Sequence, residues 1–409
     1  MPTIAILGTF DTKGLEHAFI AEAVRARGHE TLLINVGSLA EPSVEPDVSA
    51  PEVAAAGGED WQAVLAKQDR GESVALMSRA AAKYAASLVE AGRIQGIISL
   101  GGGGGTAIAT AAMRALPIGF PKLMVSTLAS GNTAPYVGTK DIVMMPAIVD
   151  VSGINRISRA IFENAAGAIC GMVDAATARA TRPASDRPLI VASMFGNTTA
   201  CVDHAKSILE GAGYEVLVFH STGTGGRTME SLIESGMVAG VLDITTTEWA
   251  DELAGGILSA GPTRLEAAAR ANVPAIVTPG CLDMVNFGEP HTLPARYSGR
   301  TLYHHNPQVT LMRTNAEECA KLGNILAEKV NAYTAPVTVL LPTKAISIIS
   351  AGGKAFHDPA ADEALFSSIK QHVRPGLPIL EMDCEINDPT FAEACAQALL
   401  SNISAHRPS

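Results

Sequence analysis

Short apolar runs that end in glycine or a polar turn recur along this chain, each followed by a longer stretch with apolar residues three and four apart. Thr3–Leu7 is the first such run and predicts a buried strand. The spacing then predicts a helix from about Gly14 to Arg27, stopped by Gly28, and a second strand over Thr31–Val36. A proline-spotted stretch runs from Glu41 to Pro51. Ala, Leu, Met and Val at helical spacing predict a helix over Ser73–Ala91. A strand over Gln95–Leu100, a loop at Gly101–Gly105, a helix over Thr106–Leu116 and a strand over Lys122–Ser126 follow. Strands alternating with helices require crossover connections, and so a largely parallel sheet.

The pattern restarts after Arg182-Pro183-Ala184-Ser185-Asp186-Arg187-Pro188, a polar, proline-marked stretch. Ile4-Ala5-Ile6-Leu7-Gly8-Thr9 finds its counterpart in Ile190-Val191-Ala192-Ser193-Met194-Phe195, and Gly28–Leu33 in Gly213–Val218. Gly96–Gly101 likewise corresponds to Gly240–Thr245. The expected organisation is therefore two related α/β domains, residues 1–182 and 183–409, with a cleft between them. In such sheets ligands bind beyond the carboxyl ends of the strands, where the glycine turns lie. A chain of 409 residues also exceeds what one core usually supports.

Composition narrows the function classes. Apolar residues make up 47% and charged residues 17%, which describes a well-buried globular protein. The net charge of −11 argues against a nucleic-acid partner, which would need a basic face. No run approaches the roughly 18 apolar residues of a membrane span, so no membrane role is expected. The six cysteines form no CxxC and read as reduced thiols, which points to the cytoplasm.

The strongest chemical signal is Gly101-Gly102-Gly103-Gly104-Gly105-Thr106, between a strand and a helix. Without side chains the turn lets a phosphate reach backbone N–H groups, and the helix start adds partial positive charge. The competing reading is a flexible turn without a ligand. No Lys-Ser or Lys-Thr pair follows, so it is not a Walker loop. Ser126 and Asn35 stand where a dinucleotide site would want an acid, which favours a mononucleotide over NAD. Gly8-Thr9-Phe10-Asp11-Thr12-Lys13-Gly14 offers hydroxyls, a carboxylate and an ammonium at another strand end; Asp11 could hold Mg²⁺ or cap the helix. Ser130-Gly131-Asn132 is a third polar turn in the same half.

In the second half, Gly223-Thr224-Gly225-Gly226-Arg227 is a further glycine turn, with Arg227 a candidate anion clamp. Cys281 could be a nucleophile or a packing residue, and His305 could serve a substrate pocket. Glu381, Asp383 and Glu385 alternate, as on one face of a strand.

Gly8–Lys13, Gly101–Gly105, Pro279-Gly280-Cys281-Leu282-Asp283-Met284-Val285-Asn286-Phe287, His305-Asn306-Pro307, Thr310–Thr314 and Ile386–Ala392 together resemble the UPF0261 family, also called Tm-1-like ATP-binding proteins. That family includes the N-terminal inhibitory domain of tomato Tm-1. The likeness runs over essentially the whole chain. It implies two Rossmann-like subdomains, ATP bound with Mg²⁺ in the N-terminal half, and a homodimer. By position it places nucleotide contacts on Phe10, Asp11, Thr12 and Lys13, on Gly101, Gly102, Gly103, Gly104, Gly105 and Thr106, and on Ser130, Gly131 and Asn132. Ala345 stands where the family pattern has glycine, which removes support for a contact there. Antiviral activity is not carried over.

Three functions are consistent with these readings. The leading one is an ATP-binding protein with a small-molecule site at the cleft. A catabolic hydrolase or ligase acting on a small carboxylate or sugar acid would use Cys281, Asp283, His305 and Arg313. A non-catalytic interaction module stabilised by ATP is the third.

Overall fold

The computed structural model describes residues 1–38, 40–66, 69–181 and 187–406, with the side chains of 63 and 64 also left aside. The chain divides into two compact units, Met1–Ala184 and Ser185–Ser409. The expected boundary, between 182 and 183, lies outside the described residues.

The N-terminal unit is built on five strands: β1 (Thr3–Gly8), β2 (Glu30–Asn35), β3 (Gly96–Gly101), β4 (Lys122–Ser126) and β5 (Val143–Pro146). All neighbours pair in parallel, in the order β2-β1-β3-β4-β5. Side chains of a strand alternate between faces, so each apolar run feeds two cores. Ala5, Leu7, Ile97 and Met124 pack under the helices Arg70–Glu90 and Gly103–Arg114. Ile4, Ile6, Ile98, Leu123 and Val125 pack under Phe10–Arg25 and Arg156–Ala180. Burial on both faces explains why these strands are continuously apolar in sequence.

The C-terminal unit has β6 (Leu189–Met194), β7 (Glu215–His220), β8 (Val238–Thr245) and β9 (Ala275–Gly280), then β10 (Met284–Phe287), β11 (Leu302–Asn306) and β12 (Val309–Arg313), and last β13 (Val337–Pro342) and β14 (Ile379–Met382). Six of these form a parallel sheet in the order β14-β13-β9-β8-β6-β7, and β10-β12-β11 form a small antiparallel sheet. The two parallel sheets open alike: β2-β1-β3 in one corresponds to β7-β6-β8 in the other. In each, the chain order reverses beside the first strand, between β1 and β3 and between β6 and β8. Such a switch point opens a crevice, because the two following connections leave on opposite faces.

Two expectations change. The glycine stretch is not a loop up to Thr106, because the helix begins at Gly103 with Gly102 as its N-cap. The buried face of Ile108, Ala109, Ala112 and Met113 holds the helix in place, and this packing outweighs glycine's poor helix propensity. The alternating acids near the C-terminus do not share a strand face, since β14 ends at Met382. Glu381 pairs with Lys370 at 3.0 Å and Asp383 with Lys344 at 2.8 Å. No helix among the described residues is long and apolar enough to cross a membrane.

Candidate functional site

The switch point of the N-terminal sheet brings two distant stretches of sequence into one cavity of about 270 Å³. Thr9, Asp11, Thr12 and Lys13 come from the end of β1, and Gly102–Gly105 from the end of β3. Val36 and Ser38 follow β2, and Arg70 and Val74 come from the helix Arg70–Glu90. Two helix starts, at Phe10 and at Gly103, therefore point into the same space. A helix start leaves its first N–H groups without the usual intrahelical acceptor; at the first helix the Phe10 N–H goes to Asn35 and the Thr12 N–H to the Thr9 carbonyl.

Of the five glycines, only Gly101 is held by packing: a Cβ there would lie 3.1 Å from the Gly105 Cα. A Cβ on Gly103 would meet nothing within 4 Å, and on Gly102, Gly104 or Gly105 its nearest contacts would be 3.6 Å or longer. None of the five takes a positive φ. Space and φ alone would therefore admit alanine at four of these positions, and at the three helical ones, Gly103–Gly105, alanine has the better helix propensity.

Beneath the cavity, a fully buried histidine ties the two turns together. The His17 Nδ1–H donates to the Lys13 carbonyl at 2.7 Å, and its Nε2 accepts the Leu100 N–H at 3.4 Å. Donation at Nδ1 and acceptance at Nε2 describe one neutral tautomer. Burial lowers its pKa to about 4, against weaker opposing effects of the Lys13 carbonyl and Glu16. Gly8 makes room for it: a Cβ there would fall 2.0 Å from His17 Nε2. With an ordinary pKa near 6.5 in the unfolded chain, only that chain takes up the proton between about pH 6.5 and 4. His17 thus stabilises the fold above pH 6.5, and this contribution is lost as pH falls through the window, by about 3 kcal/mol. An NMR titration should show the His17 imidazole neutral at pH 5.5; a midpoint near 6.5 would contradict the burial argument.

Other expected contacts lie elsewhere. Phe10 is buried in the core, its ring 5.3 Å from the His17 ring, and its N–H donates to Asn35 Oδ1 at 3.0 Å. Thr106 turns into the sheet, its hydroxyl 2.7 Å from that of Ser126. The Lys13 ammonium donates to the Val151 carbonyl at 2.7 Å. Ser130 lines a separate cavity of about 380 Å³ with Thr127, Ile148 and Asp150. Asn132 accepts the Ala134 N–H at 3.2 Å. Arg70, by contrast, had no signal in the sequence. It opens a helix and enters the cavity only through tertiary packing.

In the C-terminal unit the groups at the strand ends are bonded to the protein itself. Thr198 and Thr245, at the ends of β6 and β8, join hydroxyls at 2.7 Å. The glycine turn before the helix Thr224–Glu234 receives the Glu248 carboxylate, whose Oε1 accepts the Gly223 N–H at 2.8 Å and the Gly226 N–H at 3.1 Å. Arg264, 1% exposed, binds Glu248 Oε2 at 2.7 Å, both Asp243 oxygens at 2.7 Å and Glu230 at 3.1 Å. Arg227 donates to the Ser259 carbonyl instead of an open space.

Of the remaining candidates, Asp283 and Arg313 lie in one buried group and His305 does not join them. Arg313 binds Asp362 at 2.6 Å and the Phe356 carbonyl at 2.9 Å. Asp283 Oδ2 accepts the Ser347 hydroxyl at 2.7 Å; burial raises its pKa to about 6 although Arg313 opposes this. Cys281 is fully buried at φ 59°, and burial pushes its thiol well above the usual range. His305 is exposed on β11, at the edge of the small sheet.

Comparison with known proteins agrees in extent with this two-unit architecture. Residues 2–178 match the N-terminal domain and residues 187–403 the C-terminal domain of the uncharacterised protein family UPF0261. A UPF0261 protein of Clostridium tetani is 49% identical over 97% of this chain and 98% of its own length. The tomato ToMV resistance protein Tm-1(GCR237) is 36% identical over 98% of this chain, which spans 55% of that protein. Among solved structures, a Streptomyces glycosyltransferase complexed with thymidine diphosphate aligns with a TM-score of 0.17 at 10% identity, covering 99% of this chain and 96% of its own. So low a score carries no argument. Both domains and the full-length relatives place the chain in the UPF0261 family.

Proposed function

We propose that the N-terminal unit binds ATP as its Mg²⁺ complex, with the phosphates on the helix start at Gly103. The observation that carries this reading is the glycine run. Four glycines stand where neither φ nor packing asks for glycine, and together they leave one helix start without side chains. A helix start with bare N–H groups suits an anion, and one without side chains leaves room for a phosphate. ATP is the nucleotide that the family resemblance implies.

The surrounding residues suit this ligand. Asp11 with the hydroxyls of Thr9 and Thr12 matches Mg²⁺, which typically takes one or two carboxylates and completes its shell with phosphate oxygens and water. Lys13 is engaged with Val151, so the phosphate charge falls to Arg70, whose guanidinium lies 3.9 Å from the Cβ position of Gly104. Its planar fork fits two phosphate oxygens at once.

Thermal unfolding with and without Mg-ATP, with NAD as control, tests the proposal. Ligand at a hundred times its dissociation constant adds about 2.7 kcal/mol of stability. A shift with ATP and none with NAD is expected; no shift at millimolar ATP would overturn it. Arg70→Ala should weaken ATP binding by about tenfold or more, the loss of roughly one charge-assisted hydrogen-bonded pair. Lys13→Ala should cost less. Unchanged ATP affinity in Arg70→Ala would remove Arg70 from this role.

A further inference from the structure

A second and larger cavity, about 720 Å³, lies at the end of β2 and shares Ser38 with the glycine-lined one. Its walls combine three kinds of group. Leu65 and the exposed edge of Trp61, otherwise packed in the core, offer apolar surface, Asn35 and Gln62 offer amides, and Glu41 and Glu45 offer carboxylates. A phosphate would be repelled by two carboxylates. Ribose hydroxyls, as donors, suit them, and a base suits an indole edge and Leu65 flanked by amides.

We infer that the nucleoside half of the ligand runs from the glycine helix start across the end of β2 into this cavity, with the ribose toward Glu41 and Glu45 and the base toward Trp61. The inference rests on the phosphate reading above and adds a direction to it. The opposite direction leads past Thr127, which lies 3.8 Å from the Cβ position of Gly102, to the cavity at Ser130. That cavity is lined by Thr127, Ser130, Ala147, Ile148, Val149 and Asp150, with neither an aromatic ring nor a side-chain amide for a base. Asn35 is already oriented for the β2 route. Its Oδ1 accepts from the Phe10 and Gly37 N–H groups at 3.0 and 2.9 Å, which fixes the amide at the cavity wall.

The chain contains two tryptophans, so Trp249→Phe leaves Trp61 as the sole indole in the full-length protein. This variant is titrated with Mg-ATP and with inorganic tripolyphosphate, following both unfolding temperature and indole emission. Both ligands should raise the unfolding temperature, and only ATP should change the Trp61 emission, saturating in step with binding. The pair Glu41→Gln and Glu45→Gln should lower ATP affinity by about tenfold through the loss of charge assistance in the ribose hydrogen bonds, and leave tripolyphosphate unchanged or tighter. ATP binding with constant Trp61 emission and no effect of the glutamine pair would overturn the inference while the phosphate site stands. Binding of neither ligand would overturn both.

Discussion

Gly103→Ala is expected to weaken Mg-ATP binding at least tenfold while leaving the free protein as stable as before, or more so. The added methyl meets nothing within 4 Å in the protein, and the position is helical. Alanine in place of a helical glycine stabilises by roughly 0.5–1 kcal/mol. In the proposed liganded state the same methyl would stand where a phosphate oxygen must approach the backbone N–H groups. The two effects have opposite signs, which protects the test against the usual ambiguity of a misfolded variant. Calorimetric titration and thermal unfolding of the same preparation check both. Unchanged ATP affinity in a normally folded Gly103→Ala would remove the helix start from the site.

The second large effect concerns stability alone. Arg264→Ala should destabilise the C-terminal unit by about 3–5 kcal/mol or more, the cost of leaving a buried ion pair without one partner. Here three carboxylates lose their common cation: Asp243, Glu248 and Glu230. Glu248 is also the group that satisfies the Gly223 and Gly226 N–H groups, so the damage should spread to the start of the helix Thr224–Glu234. Arg264→Lys should recover little, because an ammonium cannot hold both oxygens of Asp243 and also reach Glu248. Hydrogen exchange around residues 223–226, with a denaturant midpoint for the whole chain, would show this. A loss below 1 kcal/mol would mean the carboxylates are protonated or hydrated once the cation is gone.

The parallel architecture was legible in the sequence because its strands are buried on both faces. Runs such as Ile4–Leu7 and Ile97–Leu100 have no polar alternation to confuse them with surface strands. Lys122–Ser126 matches its observed limits for the same reason. Helix starts were less legible. Gly103–Gly105 belong to a helix although glycine is a poor helix former, because the buried face lies further along, from Ile108 onward. Phe10–Lys13 also precede the point where helical spacing becomes visible, and Lys13 itself departs from helical geometry at φ −139°.

The site was half legible. Glycine and hydroxyl clusters at strand ends show as local composition, and parallel strands place those ends on one edge. Whether two such turns meet depends on strand order: β1 and β3 are neighbours, so the Thr9 and Gly102 turns share a cavity. Ser130 follows β4, one strand further out, and lies in another. Arg70 and Glu248 carry no local mark. Arg70 reaches the first glycine turn from a separate helix, and Glu248 enters the second from 22 residues away in sequence. Composition alone made the Gly223–Gly226 turn look like an anion site, and electrostatically it is one; its anion is part of the chain.

That last feature gives the two sheets different relations to their surroundings. A unit that carries its own counter-ion at the helix start needs none from solution there. A unit whose bare helix start takes up the proposed nucleotide would have part of its cohesion on loan from a solute. Across changes in phosphate or nucleotide concentration, one half of this molecule should behave as ballast and the other as a gauge.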